Sequence, residues 1–187
     1  MKTLRTPAEL IGARLVAPDR RSELEAVAAR YAVAITPEMA ALIDPADPDD
    51  PIGRQFVPDG RELERRPDES EDPIGDAAHS PVEGIVHRYP DRVLLKPLHA
   101  CAVYCRFCFR RETVGPGAEP LTAEQLDAAL DYIASHPEIW EVILTGGDPL
   151  VLSAPRLREV MRALAALPHV KIVRVHTRVP VVAPARI

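Results

Sequence analysis

From residue 92 to residue 175, short apolar runs and amphipathic stretches alternate, and few folds can accommodate that order. Residues 92–98 are rich in Val and Leu and read as a strand. Residues 122–136 predict a helix with Leu126, Ala129, Leu130 and Ile133 on one face; Thr122 opens it with a Thr-x-x-Gln pattern that resembles a capping box. Residues 140–145 predict a second strand, ended by Gly146 and Gly147. Residues 155–167 predict a second helix with Leu157, Val160, Met161, Leu164 and Leu167 on its apolar side, and 170–175 a third strand. Strands that are apolar nearly throughout bury both faces, so the sheet is expected to be parallel, covered by helices and joined by right-handed crossovers. Three parallel strands cannot close a barrel, and the outer edge of the third would face solvent. The expectation is an α/β fold, a partial parallel β/α barrel truncated after about three βα units.

The first 90 residues differ in character. Residues 6–43 carry helical spacing in Leu10, Ile11, Leu15, Leu24, Val27, Ala28 and Tyr31, broken at Pro18-Asp19, with Ser22 as a candidate N-cap and Thr36-Pro37 opening a short helix. Between 44 and 90 lie Pro45, Pro48, Pro51, Pro58, Pro67, Pro73, Pro81 and Pro90 among many acids, a density of breakers that no periodic element survives. Ile52, Phe56, Val57, Ile74, Val82, Ile85, Val86 and Tyr89 are embedded there, which a solvated linker does not need. The reading is an extended segment wrapped over a scaffold, with a mobile middle from Gly60 to Asp72. The expected organisation is therefore a helical extension over 1–43, a Pro-rich extended segment over 44–90 that packs on the barrel, and the partial barrel over 91–187. Net charge is -5, which gives no electrostatic footprint for nucleic acid or an anionic membrane. No apolar run reaches 18 residues, so no spanning helix is expected. The N-terminus has no signal-peptide pattern.

Cys101, Cys105 and Cys108 are the only cysteines and form a C-x3-C-x2-C run just after the first predicted strand. In a β/α barrel that is the end where catalytic groups gather. Three thiolates at this spacing can hold three irons of a four-iron cluster and leave the fourth open to a small molecule. Two other readings remain: a structural zinc with His99 as fourth ligand, for which a second paired half is missing, and three thiols packed as small hydrophobes. Ligand count and spacing favour the cluster. Clustered thiols also fit a reducing compartment, and the chain reads as cytoplasmic. Tyr104 and Phe107, between the cysteines, are expected to shield the cluster from water.

The cysteine run after strand one of a parallel α/β fold resembles the radical S-adenosylmethionine (SAM) enzymes. Within them, residues 87–92 (His-Arg-Tyr-Pro-Asp-Arg), the continuation Phe109-Arg110-Arg111, and residues 144–150 (Leu-Thr-Gly-Gly-Asp-Pro-Leu) look like the lysine 2,3-aminomutase family. The likeness extends to Asp50-Pro51-Ile52, Arg54-Gln55-Phe56 and residues 177–182, and covers roughly residues 44–187. It implies that Cys101, Cys105 and Cys108 ligate a [4Fe-4S] cluster whose open iron is chelated by SAM. It implies that the SAM site is formed by Gly146, Gly147, Asp148 and Pro149, the glycines meeting the amino group of SAM with Asp148 beside it, that Tyr89 and Arg92 contact pyridoxal phosphate, Arg92 near its phosphate, and that Arg110 binds the substrate carboxylate. Forked guanidinium donors suit both phosphate and carboxylate. Taken singly, Arg92 also reads as a strand-start ion pair, Arg110 as solvated helix charge beside Arg106 and Arg111, and the Gly-Gly-Asp-Pro run as a plain turn. The implied reaction moves an amino group from carbon 2 to carbon 3 of a free amino acid by way of a 5′-deoxyadenosyl radical, with lysine as substrate and flavodoxin or ferredoxin as electron donor. A glutamate-specific or elongation-factor-P-associated relative is the nearest variant. A homo-oligomer is compatible with the resemblance.

The chain departs from the family in one respect. The family's pyridoxal-binding lysine lies beyond the matched region, and Lys2, Lys96 and Lys171, the only lysines, do not match it. The expectation is an N-terminal portion with cluster and SAM sites that does not complete the reaction alone. The competing class is a non-catalytic iron-sulfur module, against which Tyr89, Arg92 and Arg110 argue, since electron transfer needs no phosphate or carboxylate clamp.

Overall fold

The computed structural model of the chain describes residues 2–115 and 118–187. In chain order its regular elements are α1 (Pro7–Gly12), α2 (Arg21–Arg30), α3 (Pro37–Ala40), α4 (Gly53–Phe56), β1 (Ile85–Tyr89), β2 (Arg92–Leu98), α5 (Ala123–Ala134), β3 (Glu141–Gly146), α6 (Ala154–Ala165), β4 (Ile172–Val175) and α7 (Val179–Val182), with short 3-10 turns between. They fall into two compact units: Met1–Pro73, Cys101–Pro116 and Pro180–Ile187 in one, Ile74–Ala100 and Gly117–Val179 in the other.

The second unit holds a four-stranded sheet in the order β1-β2-β3-β4. β2 pairs with β3 and β3 with β4, both parallel, with Val93 opposite Val142 and Val142 opposite Val173. This is the β-α-β-α-β order read from the sequence, and the open sheet is part of a β/α barrel. Val93 and Leu95 from β2, Val142 and Leu144 from β3, Leu126, Ala129 and Ile133 from α5 and Val160 and Leu164 from α6 make one buried core. The helices start where local chemistry says they should. The Thr122 side chain accepts from Gln125 N while Gln125 reaches back to Thr122 N, and Ser153 accepts from Arg156 N.

β1 corrects the expectation that no regular element lies between 44 and 90. It pairs antiparallel with β2 across a turn at Pro90-Asp91, burying Ile85 and Val86 and exposing Arg88 and Tyr89. Pro90 sits in the turn, outside the ladder, where its missing N–H costs nothing. The strand is only five residues long, and its stabilising partner is β2 rather than its own periodicity.

The first unit packs Leu4, Leu10, Ile35, Met39, Phe56, Val103 and Val182 together. The helical run expected over 6–43 is interrupted. A 3-10 turn at Pro18–Arg20 continues directly into α2, so Ser22 lies inside the helix and caps nothing. Thr36 does precede Pro37 at the start of α3, but its hydroxyl donates to Val182 O at 2.5 Å rather than capping. The expected mobile middle begins with a capped 3-10 turn, Gly60–Leu63, in which Asp59 accepts from Arg61 N and Glu62 accepts from Asp59 N. Among the described residues no helix is long and apolar enough to cross a membrane.

At the N-terminal end of the sheet, charges replace the core. Glu141 is buried and pairs with Arg174, and Arg92 lies 3.7 Å from its other oxygen. Arg92 also grips Asp91 through two bonds of 3.0 and 2.8 Å, and Trp140 Nε1 donates to Asp91 at 3.1 Å. The Arg92 and Trp140 bonds hold the Asp91 carboxyl well below the usual carboxylate range. A depressed folded-state pKa gives a contribution that is complete above the unfolded value of about 3.9 and is lost as pH falls through the depressed value. Urea unfolding followed by the emission of Trp140, the one tryptophan, therefore gives a stability difference between wild type and Asp91→Asn that is constant from about pH 7 to 5 and shrinks below about 4. A difference that grows on acidification contradicts this sign.

Candidate cofactor site

The cysteine loop is a succession of turns, closed by Cys108 N to Cys105 O, Arg111 N to Cys108 O and Thr113 N to Arg110 O at 2.9–3.1 Å. Its inward residues are Val103, Tyr104 and Arg106, all buried, while Cys101, Cys105 and Cys108 are half-buried. Tyr104 N donates to Ala34 O, and the Tyr104 hydroxyl donates to Arg111 O at 2.8 Å, so this phenol spans the loop. Burial pushes its pKa up to about 12. Phe107, expected to shield the cysteines, is 64% exposed and so does not bury them. Arg110 is half-buried, with its guanidinium 4.6 Å from the Phe109 ring. The stretch it occupies is a turn, not the helix that the alternative reading of Arg110 as solvated helix charge supposes.

Arg106 anchors the loop. Its backbone N–H donates to Gln55 O at 2.8 Å, its Nε and one terminal nitrogen grip both oxygens of Glu62 at 2.5–3.1 Å, and the other terminal nitrogen donates to Ala32 O at 2.6 Å. The guanidinium also stacks on Tyr104, 4.8 Å from the ring centre. The Arg106 and Glu62 side chains are only 6% and 13% exposed, so the pair is withdrawn from water. Sequence reading missed Glu62. The Asp59-x-x-Glu62 capping pattern marked an ordered turn, but the proline density around it pointed to mobility. A cavity of about 380 Å³ lies against this loop, lined by Cys108, Phe107, Phe109, Arg106 and Arg111 and by the acidic residues Asp68, Glu69 and Glu71. A larger one of about 700 Å³ borders Arg106 and Arg111 but no cysteine.

Among the described residues no three His, Cys, Asp or Glu side chains are gathered in a metal-holding arrangement. The donor set itself fits an iron-sulfur cluster: three cysteine sulfurs in one eight-residue loop, none deeply buried, the loop held from behind by Arg106 and Tyr104.

The turn after β3 is built differently. Gly146 has φ +104°, and a Cβ there would lie 2.6 Å from Leu98 O and 2.8 Å from Lys96 Cβ. A Cβ at Gly147 would lie 2.1 Å from Ala100 O. The two glycines thus let the chain's own backbone close up: Gly147 N donates to Leu98 O and Asp148 N to Ala100 O, both at 2.9 Å. Asp148 is buried, and its carboxylate accepts from Leu150 N, Thr177 Oγ1, Arg178 N and Val179 N. Pro149 opens a 3-10 turn, Pro149–Val151, capped by that same Asp148. Tyr89 and Arg92 are register partners across the β1-β2 hairpin and both reach solvent. Arg92 lies opposite Glu141, and Leu98 opposite Gly146, so Arg92 and the glycine turn are at opposite ends of β2 and β3.

The profile of the Radical SAM superfamily matches residues 95–186, from the middle of β2 almost to the last residue. The chain belongs to the radical SAM superfamily. It is 44% identical over 155 residues to an L-lysine 2,3-aminomutase of Clostridium subterminale, which covers 83% of this chain and 37% of that protein. It is 41% identical to the L-lysine 2,3-aminomutase of Bacillus subtilis (strain 168), over 82% of the chain and 32% of the relative, and 39% identical to that of Escherichia coli (strain K12), over 84% and 45%. The chain therefore spans less than half the length of these relatives. Membership of the superfamily implies a [4Fe-4S] cluster and SAM as cofactors.

Removing one partner of a buried bidentate pair strands the other charge, at a cost of about 3–5 kcal/mol. Arg106→Gln and Glu62→Gln are each expected to lose stability in that range by urea unfolding, and the double variant to lose less than the sum. Additive losses would show that the two side chains do not act on each other.

Proposed function

We propose that this chain carries the cluster- and SAM-binding part of a radical SAM amino acid 2,3-aminomutase that converts L-lysine to β-lysine. Cys101, Cys105 and Cys108 hold three irons. The turn at Gly146, Gly147, Asp148 and Pro149 receives the amino group of SAM. Arg110 holds the substrate carboxylate, and Tyr89 with Arg92 the phosphate of pyridoxal phosphate. Flavodoxin or ferredoxin is the proposed electron donor. The chemistry these cofactors supply when bound is one-electron reductive cleavage of a sulfonium and radical migration of an amino group.

One observation carries the SAM assignment. The N–H groups of Gly147 and Asp148 are turned onto Leu98 and Ala100, Leu150 N onto the Asp148 carboxylate and Val151 N onto Asp148 O. A glycine turn that cradles a phosphate points its N–H groups at the ligand. This turn has spent them, and what it can offer a ligand is carbonyl oxygen, which suits an ammonium. The cysteine loop contributes soft thiolates, with the buried Tyr104 and Arg106 keeping its backbone in place.

For pyridoxal phosphate, Tyr89 and Arg92 face each other across the hairpin, and holding the phosphate requires Arg92 to exchange its fork on Asp91 for the anion. The aldehyde end has no assigned lysine here. Lys2 pairs with Glu9, Lys171 donates to Pro168 O, and Lys96 lies within β2. We accordingly expect the 187-residue chain to bind the cluster and SAM without turning lysine over.

Anaerobic reconstitution with iron and sulfide tests this. The expected product binds about four irons, absorbs broadly near ~400 nm and, once reduced, changes its paramagnetic signal when SAM is added. Each single Cys→Ala variant at 101, 105 and 108 is expected to lose the absorbance. A cluster whose signal ignores SAM would favour the non-catalytic iron-sulfur module, and a colourless zinc protein would sink both readings.

A further inference from the structure

Resting on the SAM assignment above, we infer that Asp148 is a positioning residue that latches the end of β3 to the segment after β4, and is not itself a ligand of the SAM ammonium. A carboxylate offers about four lone-pair sites. Oδ1 of Asp148 accepts from Leu150 N at 3.1 Å and from Thr177 Oγ1 at 2.6 Å; Oδ2 accepts from Arg178 N at 2.7 Å and Val179 N at 3.2 Å. Every site has a donor, and the residue is buried. An arriving ammonium would be a fifth donor and would have to evict one of these into a place with no substitute.

The latch takes over where the sheet stops. The β3-β4 ladder runs to Leu144 opposite Val175, and His176 N donates to Leu144 O at 2.9 Å. Beyond that, Asp148 gathers the N–H groups of Arg178 and Val179. Thr177 orients the contact: its hydroxyl proton goes to Asp148, and its oxygen accepts from Val179 N at 3.0 Å. On the other side, Asp148 N is held by Ala100 O. One residue thus fixes the turn relative to both β2 and β4, which leaves the carbonyls of the glycine turn aimed and the carboxylate fully occupied.

Thr177 separates the two roles, because it touches Asp148 and has no part in a direct ammonium contact. On the anaerobically reconstituted chain, Thr177→Val is expected to weaken SAM binding about fivefold, read from the SAM-dependent change in the reduced cluster's paramagnetic signal, and Thr177→Ser to restore it to within about twofold. If Asp148 is a direct ligand, Thr177→Val frees an acceptor site and binding stays unchanged or tightens, which overturns the inference. In the absence of SAM, Asp148→Asn is expected to speed amide hydrogen exchange at Arg178 and Val179 by about tenfold or more. Should Asp148→Asn fail to fold, Thr177→Val gives the same exchange readout in smaller measure. If wild type shows no response to SAM, the SAM assignment fails. The latch is then decided by exchange alone, and unchanged protection in the variants overturns it.

Discussion

The carbonyl of Ala100 occupies the space that a side chain at residue 147 would need. That close approach organises the C-terminal end of the sheet. It brings the Gly147 and Asp148 N–H groups onto carbonyls at and just after the end of β2, and so sets the direction of the turn. It also places the Asp148 carboxylate where Thr177, Arg178 and Val179 can reach it. A methyl group at 147 cannot be accommodated by a rotamer change, because its neighbours are backbone atoms. The parallel order β2-β3-β4 would survive without this contact, but the turn's polarity would not.

Two buried charges serve comparable ends by different means. Arg106 meets a carboxylate, a carbonyl and an aromatic face, so its positive charge is neutralised by Glu62. Asp148 has no cationic partner among its four donors; hydroxyl and N–H dipoles carry it. A guanidinium-carboxylate fork is rigid in two dimensions and suits a loop that must present thiols without wandering. A carboxylate solvated by backbone N–H groups joins segments distant in sequence without adding a second charge. Each arrangement places an irregular segment whose backbone hydrogen bonds no helix or sheet could satisfy.

Most of the sheet and its helices were legible because their signals are local. The Thr122-Gln125 box, the apolar faces of α5 and α6 and the Val-Leu runs of β2 and β3 each declare themselves within a dozen residues. β1 was hidden because Pro81 and Pro90 flank a five-residue strand whose stability lies in its pairing with Leu94 and Leu95. Glu62 was hidden for a related reason. Its cap is local, but its value to the cysteine loop comes from Arg106, 44 residues away. The space beside the glycine pair is taken by the protein's own backbone, a long-range contact that no local pattern announces. Residue type marked out the cysteine loop and the β3 turn; only packing revealed which neighbours hold them.

A carboxylate with every lone pair filled still carries its charge. Hydrogen bonds from N–H groups spread that charge without cancelling it, and in a buried setting its field reaches further than it would in water. Asp148 therefore acts twice on the turn proposed to receive a cation. Its bonds fix where the carbonyls point, and its charge makes their surroundings negative. An anion would meet the opposite: no outward N–H group from Gly147 or Asp148, and a buried negative charge behind the turn. The proposed preference of this turn for a positively charged group thus rests on what its donors are already bonded to, before any ligand is considered.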